Sequence, residues 1–313
     1  MPLPNDHFDG RRYFNPNGAN GQPFRKLPRL LTTPMTRWPS DVPVEPRRPP
    51  AAGSGEIVVT FVGHSTFLIQ AAGINVLIDP VYANRASPVS FAGPRRVRPP
   101  GVRFDELASI SLVLLSHNHY DHCDLGTLKL LEQRFHPAAA TPPGNGRLLR
   151  AAGYRKIEEL DWWQKSSSAP LPVTVTPAQH FSARTPFDRN RALWGGFLIE
   201  AEGRRIFHAG DSGHGAHFRH IGERLGPIDL ALLPIGAYEP RWFMKDIHMN
   251  PAEAVQAHLD LGARLSVAMH FGTFQLTPEG IDQPVRDLRV ALQDRGVPAE
   301  QFRVMEVGES LPT

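Results

Sequence analysis

The sequence predicts an α+β chain folded as a four-layer αββα sandwich, two mixed sheets face to face with helices outside. Three observations point there. Short β-rich runs come in two successive groups, each interleaved with helical spacing, so each half needs its sheet covered on both faces. SLVLLS at 111–116 is apolar throughout, as a strand buried on both sides is. A length of 313 residues, with 41% hydrophobic and 21% charged residues, suffices for one large domain whose halves share a core.

Residues 1–55 hold 11 of the 31 prolines and no sustained periodicity, which reads as an extended arm. Phe8, Tyr13, Phe14, Phe24, Leu27, Leu30, Leu31 and Trp38 make it too apolar for a solvated linker, so it is expected to pack on a single catalytic domain of residues 56–313. From Glu56, EIVVTFV, TFLIQ and INVLID read as a strand meander, and SLVLLS as a further strand. Leu125, Leu128, Leu131 and Phe135 then recur at helical spacing. The second half repeats the theme with strands at VTVTPA, GGFLIEA, RRIFHAG, IDLALLPI and LSVAMH, and helices near 214–224 and 251–262. Pro251 after Asn250 suits a helix start, and Gly262 a helix end.

The net charge of +3 comes with arginines scattered along the chain, which gives only weak support for nucleic-acid binding, and none is expected. A mildly basic face remains suited to anionic lipid or phosphate. Cys123 is the single cysteine, so no intrachain disulfide forms and the expected home is the cytoplasm. No secretory signal is readable, and Arg11 and Arg12 lack the apolar run of an export signal. No apolar stretch approaches the roughly 20 residues that span a bilayer, so any membrane contact is expected to be peripheral.

The sharpest signal is SHNHYDHCD at 116–124, with His117, His119, Asp121 and His122 directly after a buried strand. With 14 His and 16 Asp, His-x-His-x-Asp-His arises by chance with a probability on the order of one in a thousand. Imidazole nitrogens and carboxylate oxygens are the ligands zinc takes, and extended backbone projects His117 and His119 to one side. His180 in TPAQHF, Asp211 in HAGDSG and His270 in VAMHFG each follow an apolar strand. Alone, each reads as a hydrogen-bonded strand-end residue; together with the cluster they complete a ligand set. Gly210 and Gly213 are expected to let the backbone approach the metal beside Asp211. His208, His214, His217 and His220 read as structural or solvated, and Cys123 as a small apolar core residue rather than a soft ligand.

These residues, with LIDP around Asp79, resemble the metallo-β-lactamase superfamily. From about Phe61 to Gly308, the segments VGHST, DPVYANRASP, GPRR, SHNHYDH, ELDWW, HAGDSG, GPIDLALLPIGAYEPRWFMKDIH, HFGTF and GES are similar to its N-acylphosphatidylethanolamine-hydrolysing phospholipase D branch. The resemblance implies two Zn2+ ions, or other divalent metals. His117, His119 and His180 would bind one, His122, His270 and Asp121 the other, and Asp211 would bridge them, with a bridging hydroxide as nucleophile. Asp121 serves as ligand or as proton acceptor. His248 either assists the leaving oxygen or lies on the surface. His64 lies near the pocket, as a substrate contact or a hydrogen-bonding support, and Asp79 orients ligands. The resemblance also implies a homodimer and a reaction that releases N-acylethanolamine and leaves phosphatidic acid.

Trp242 and Phe243, between Arg241 and Lys245, offer a lipid-binding wall if exposed, or core if not. SPVSFAGP departs from the branch at Ser90, Phe91 and Ala92. Because the metal machinery is shared by many hydrolases, a hydrolase of a small soluble ester, lactone or cyclic phosphate is the alternative, and a metal-stabilised binding module the third reading.

Overall fold

The computed structural model describes residues 6–22 and 26–313. Phe24, and the side chains of Leu27 and Leu31, lie outside what is described.

The two halves are built to one plan. In the first, β1 (Ile57–Gly63), β2 (Thr66–Ala71) and β3 (Ile74–Ile78) form an antiparallel meander. To it β4 (Leu112–Leu114), β5 (Ala138–Thr141) and β6 (Ile157–Glu159) add in parallel. In the second, β7 (Val173–Thr176), β8 (Gly196–Ala201) and β9 (Arg204–His208) form the meander. There β10 (Ile228–Pro234), β11 (Ala263–Met269) and β12 (Phe302–Arg303) are the parallel additions. A last strand, β13 (Ser310–Pro312), returns to pair antiparallel with β1, so the sheets hold seven and six strands.

Strand alternation shows why this is a sandwich. Val59, Phe61, Phe67, Ile69, Val76, Ile78, Leu112 and Leu114 join one cluster with Val173, Val175, Phe197, Ile199, Ile206, Leu230 and Val267 of the other sheet. The intervening Val62, Leu68, Leu77 and Val113 face the opposite way, into a cluster with Leu128 and Leu131 of α2 (Leu125–Phe135) and Leu149 of α3 (Gly146–Ala151). Side chains at period two therefore serve two interfaces, sheet on sheet and sheet under helix. The second sheet is covered by α4 (His217–Leu225), α6 (Pro251–Leu261) and α7 (Gln283–Arg295); α1 (Leu27–Leu31) and α5 (Arg241–Met244) are short helices of five and four residues. α6 begins on a reciprocal cap: the Asn250 side chain accepts from Glu253 N, and the Glu253 carboxylate accepts from Asn250 N. It ends on Gly262 at φ +58°.

Local pattern predicts no element at α1, α3, α5, β5, β6, α7, β12 or β13, and α1 places a short helix within the arm expected to be extended. β5 is AAAT, poor in strand formers, and is held as a strand by β4 and β6 on its two edges. Along residues 6–22, Phe8 and Tyr13 are buried with their rings 4.6 Å apart, and Tyr13 N donates to Asn190 O. Val42 N donates to Val97 O and Trp38 Nε1 to Glu279 O. No helix among the described residues is long and apolar enough to cross a membrane.

Candidate metal centre

Strand ends of both sheets meet at one seam, and the candidate residues lie just past them: His64 after β1, Asp79 after β3, His117 to His122 after β4, His180 after β7, Asp211 after β9 and His270 after β11. Two donor groups form there. His117, His119, His180 and Asp211 make one; His64, Asp121, His122 and His270 make the other. In the first, His119 Nδ1 is 2.9 Å from His117 Nε2 and 3.2 Å from His180 Nε2. Two imidazoles on one tetrahedral ion with bonds of ~2.0–2.1 Å stand ~3.3 Å apart, so this spacing suits a shared cation. In the second, Asp121 Oδ2 is 3.7 Å from His122 Nε2 and 3.3 Å from His270 Nε2. Asp211 Oδ2 stands between the groups, 3.1 Å from both His122 and His270 Nε2, 3.9 Å from His117 Nε2 and 3.8 Å from His180 Nε2.

His122 Nε2, His270 Nε2 and Asp211 Oδ1 are buried and make no hydrogen bond among the described residues. Such atoms are costly to bury unless something else takes their lone pairs, and a cation is what this donor set fits. Behind three of the rings the opposite nitrogen is held, at His180, His122 and His117. His180 Nδ1 donates to Ile247 O at 2.9 Å and His122 Nδ1 to Asp79 Oδ2 at 2.8 Å. Asp79 also accepts from Ser116 N and Ser116 Oγ, and that hydroxyl lies 2.9 Å from His117 Nδ1. One buried carboxylate thus orients a member of each group. His64 Nε2 lies 3.0 Å from Asp121 Oδ2, which places this buried ring against a candidate ligand. His64, Asp79 and His270 have φ of +57°, +43° and +60°, a left-handed backbone that costs these residue types on the order of 1–3 kcal/mol each. The surrounding network, including His270 N to His64 O at 2.9 Å, holds them there.

Electrostatics divide the rings. Burial, reinforced by neighbouring imidazoles, holds His117 well below its ordinary range and brings His119 down to about 3. Burial likewise lowers His180 to about 4. Burial opposes charge on His122 and His270 too, but Asp211 and Asp121 outweigh it, raising His122 well above the ordinary value and His270 to about 9. Both aspartates are held well below the usual carboxylate range, His122 foremost among the charges that outweigh their burial. A trio of neutral imidazoles thus faces a site in which Asp121 and Asp211 bias His122 and His270 toward their charged form.

Of the seven candidate ligands His119 is the most exposed and the Asp121 side chain also reaches the surface slightly, so the centre opens on the side of these two. There Phe181 packs 4.5 Å from the His119 ring and joins Phe243 against Ala237, Met244 and Ile247. Trp242 and Phe243 are half-buried on α5, neither an exposed loop nor core, and Arg29 stacks over Trp242 at 4.3 Å. His248 is buried, its ring 5.0 Å from His180 and 5.2 Å from His270, with Nδ1 unpaired. Cys123 lies in the core beneath α2. His208 is held by Ser65 O and Gly210 N, and His214 by Asp260. The glycines beside Asp211 have a different use from the expected one. A Cβ at Gly210 would meet Gly195 O at 2.6 Å, and one at Gly213 would meet Asp246 O at 2.5 Å, so they admit neighbouring backbone.

Phe181 and Arg184 were not singled out in the sequence; the signal for both was adjacency to His180. Arg184 Nη1 donates to Asn118 O and Cys123 O, both at 2.8 Å, while its guanidinium stacks 3.9 Å above Tyr120, whose hydroxyl returns a bond to Arg184 O. It fastens the loop after His180 to the loop carrying the first four candidate ligands.

A family model described as a beta-lactamase superfamily domain matches residues 74–271. The chain is 38% identical over 266 residues to a Caenorhabditis elegans protein named N-acyl-phosphatidylethanolamine-hydrolyzing phospholipase D 1, covering 81% of this chain and 75% of that one. It is 34% identical to the mitochondrial Saccharomyces cerevisiae protein of the same name, covering 74% of this chain but 51% of the yeast one. Among solved structures, Igni18, a metallo hydrolase from Ignicoccus hospitalis, aligns with a TM-score of 0.62 at 23% identity, over 82% of this chain and 98% of that one, a likeness of fold. Paired meander sheets, an imidazole and carboxylate cluster on their shared seam, and a family match spanning that cluster together make the chain a metal-dependent hydrolase of the metallo-β-lactamase superfamily.

Proposed function

We propose that the chain is a zinc-dependent phosphodiesterase of phospholipase D type, hydrolysing N-acylphosphatidylethanolamine-like phospholipids to N-acylethanolamine and phosphatidic acid. The observation that carries the two-ion part is Asp211 Oδ2, within 4 Å of imidazoles of both groups. The substrate rests on the names of the nematode and yeast relatives.

His117, His119 and His180 would hold one ion, His122, His270 and Asp121 the other, and Asp211 both. When bound, the ions would acidify water to a nucleophile near neutral pH and neutralise the charge that gathers on phosphorus oxygens. Asp121, oriented by His64, serves as ligand or takes the attacking water's proton. His248, facing the gap between His180 and His270, donates to the leaving oxygen. Phe181 and Phe243 wall the open side against water and offer apolar contact to an acyl chain. Zinc is the ion the nitrogen-rich donor set favours.

A second reading, hydrolysis of a small soluble ester, lactone or cyclic phosphate, is favoured by how little of the ligand set reaches the surface: His119 in part and Asp121 slightly. Metal content, then headgroup release from micellar phospholipid and turnover of soluble esters with and without chelator, separates the two. Metal-dependent release of N-acylethanolamine supports the first; a metal-loaded protein inert toward every N-acylated phospholipid removes it.

A further inference from the structure

Phe91 and Phe187 are each 80% exposed, far more than any other large apolar side chain among the described residues. Both stand on loops whose feet pack near the metal centre. The first loop is closed at its base by the Arg85 and Arg95 bridge and by Ala86 N to Pro94 O at 3.0 Å. The Arg85 guanidinium braces its interior, donating to Ser90 O at 3.0 Å and Gly93 O at 2.6 Å. Its foot, Ala86, packs with Val81, Phe274 and Tyr120, and the Phe274 ring lies 5.2 Å from that of His64. The second loop leaves His180 and is tied down by Asp188, which accepts from Arg184 N and Thr185 N, and by the Arg184 clamp over Tyr120. Tyr120, in the metal-binding loop itself, therefore supports both.

These loops are braced, not collapsed, and they hold their phenylalanines away from the core. A large exposed apolar side chain on a rigid support gains free energy only when something apolar covers it. The surrounding charge names that cover. Of the five arginines in residues 80–104, Arg96 is buried and Arg98 and Arg103 pair with Asp282 and Asp105, so Arg85 and the exposed Arg95 carry the charge of the first loop, which itself holds no aspartate or glutamate between Arg85 and Arg95. The second loop carries Arg184, Arg189 and Arg191 against one carboxylate, Asp188, which is buried. Aromatic tips among arginines match the interface of a bilayer with anionic headgroups.

We propose that Phe91 and Phe187 insert together into the surface of an anionic phospholipid bilayer and set the open, His119 side of the centre against the headgroups. This surface rests on the phospholipid reading above and gives that substrate its route of approach.

The test compares the full chain with F91S/F187S for binding to vesicles of phosphatidylcholine with phosphatidylglycerol and of phosphatidylcholine alone, at low and high salt. Wild type should bind the mixed vesicles more tightly and release them as salt rises, and the double variant should bind them about tenfold or more weakly at an unchanged thermal midpoint. Turnover of a short-chain soluble phosphodiester should be unaltered. Equal binding by the variant, or no preference of wild type for phosphatidylglycerol, overturns the proposal. Pair-dependent binding without phospholipid hydrolysis would uphold the docking surface and remove the substrate reading; hydrolysis in micelles with pair-independent vesicle binding would do the reverse.

Discussion

Replacing Asp79 by Asn removes a charge without changing shape, and the structure says how much that should matter. The carboxylate is fully buried and accepts three hydrogen bonds on two oxygens: Ser116 N at 2.7 Å, Ser116 Oγ at 2.6 Å and His122 Nδ1 at 2.8 Å. Asparagine keeps one oxygen, so its NH2 must face Ser116 N or His122 Nδ1, donor against donor. One or two buried donors are left unmatched at ~1–3 kcal/mol each, for a total of about 1–6 kcal/mol. For a chain of this size that lowers Tm by roughly 2–9 °C. The effect on the metals is separate. His122 loses the bond that turns Nε2 toward Asp211, and His117 feels the change through Ser116, so affinity at both groups should fall about 10- to 100-fold. Chelator competition with stoichiometry read by atomic absorption measures the second effect, and a thermal scan of metal-free protein the first. If D79N melts lower yet binds metal within about twofold of wild type, Asp79 is a packing residue and the orienting role is wrong.

Asp211→Ala should abolish binding of both ions, because the Asp211 carboxylate is paired with imidazoles of both donor groups; retention of one tightly held ion would show that the groups are independent. Arg184→Ala leaves Asn118 O and Cys123 O without their donor and should cost about 1–3 kcal/mol in denaturant unfolding while weakening metal affinity, with Arg184→Lys recovering only part. His7 sits 2.7 Å from Asp161 and 2.6 Å from Asp6. Burial works against its charge, but those carboxylates outweigh it and raise its pKa above the ordinary 6.5. The stability this contact gives is complete below about pH 6.5 and lost as pH rises through the raised value. Cleavage of the 6–22 segment by a protease, corrected for the protease's own pH profile, should therefore quicken with rising pH, and His7→Gln should flatten that dependence.

Much of the centre was legible because its residues are rare and crowded. HNHYDH carries four candidate ligands in six positions, and His180, Asp211 and His270 each follow an apolar run that fixes them at a strand end. The alternation in TFLIQ and INVLI, whose neighbours are buried on opposite faces, was equally readable. Arg184 was not, because it acts on backbone carbonyls, which leave no mark in residue type. Phe91 and Phe187 could not be told from core phenylalanines by composition, since exposure belongs to the loop and not to the residue. The half-burial of Trp242 depends on α5 and on Arg29, distant in the chain, and no local pattern contains that contact.

β13 reaches back across the whole molecule: Ser310 Oγ meets Thr60 Oγ at 2.8 Å over a separation of 250 residues. During synthesis the outer edge of β1 must therefore stay bare while the rest of both sheets is made, its amides and carbonyls open to any passing strand. A nascent or clipped chain lacking 310–312 would keep its ligand residues yet leave Val58, Val59 and Thr60 on an unprotected edge, the kind that templates self-association.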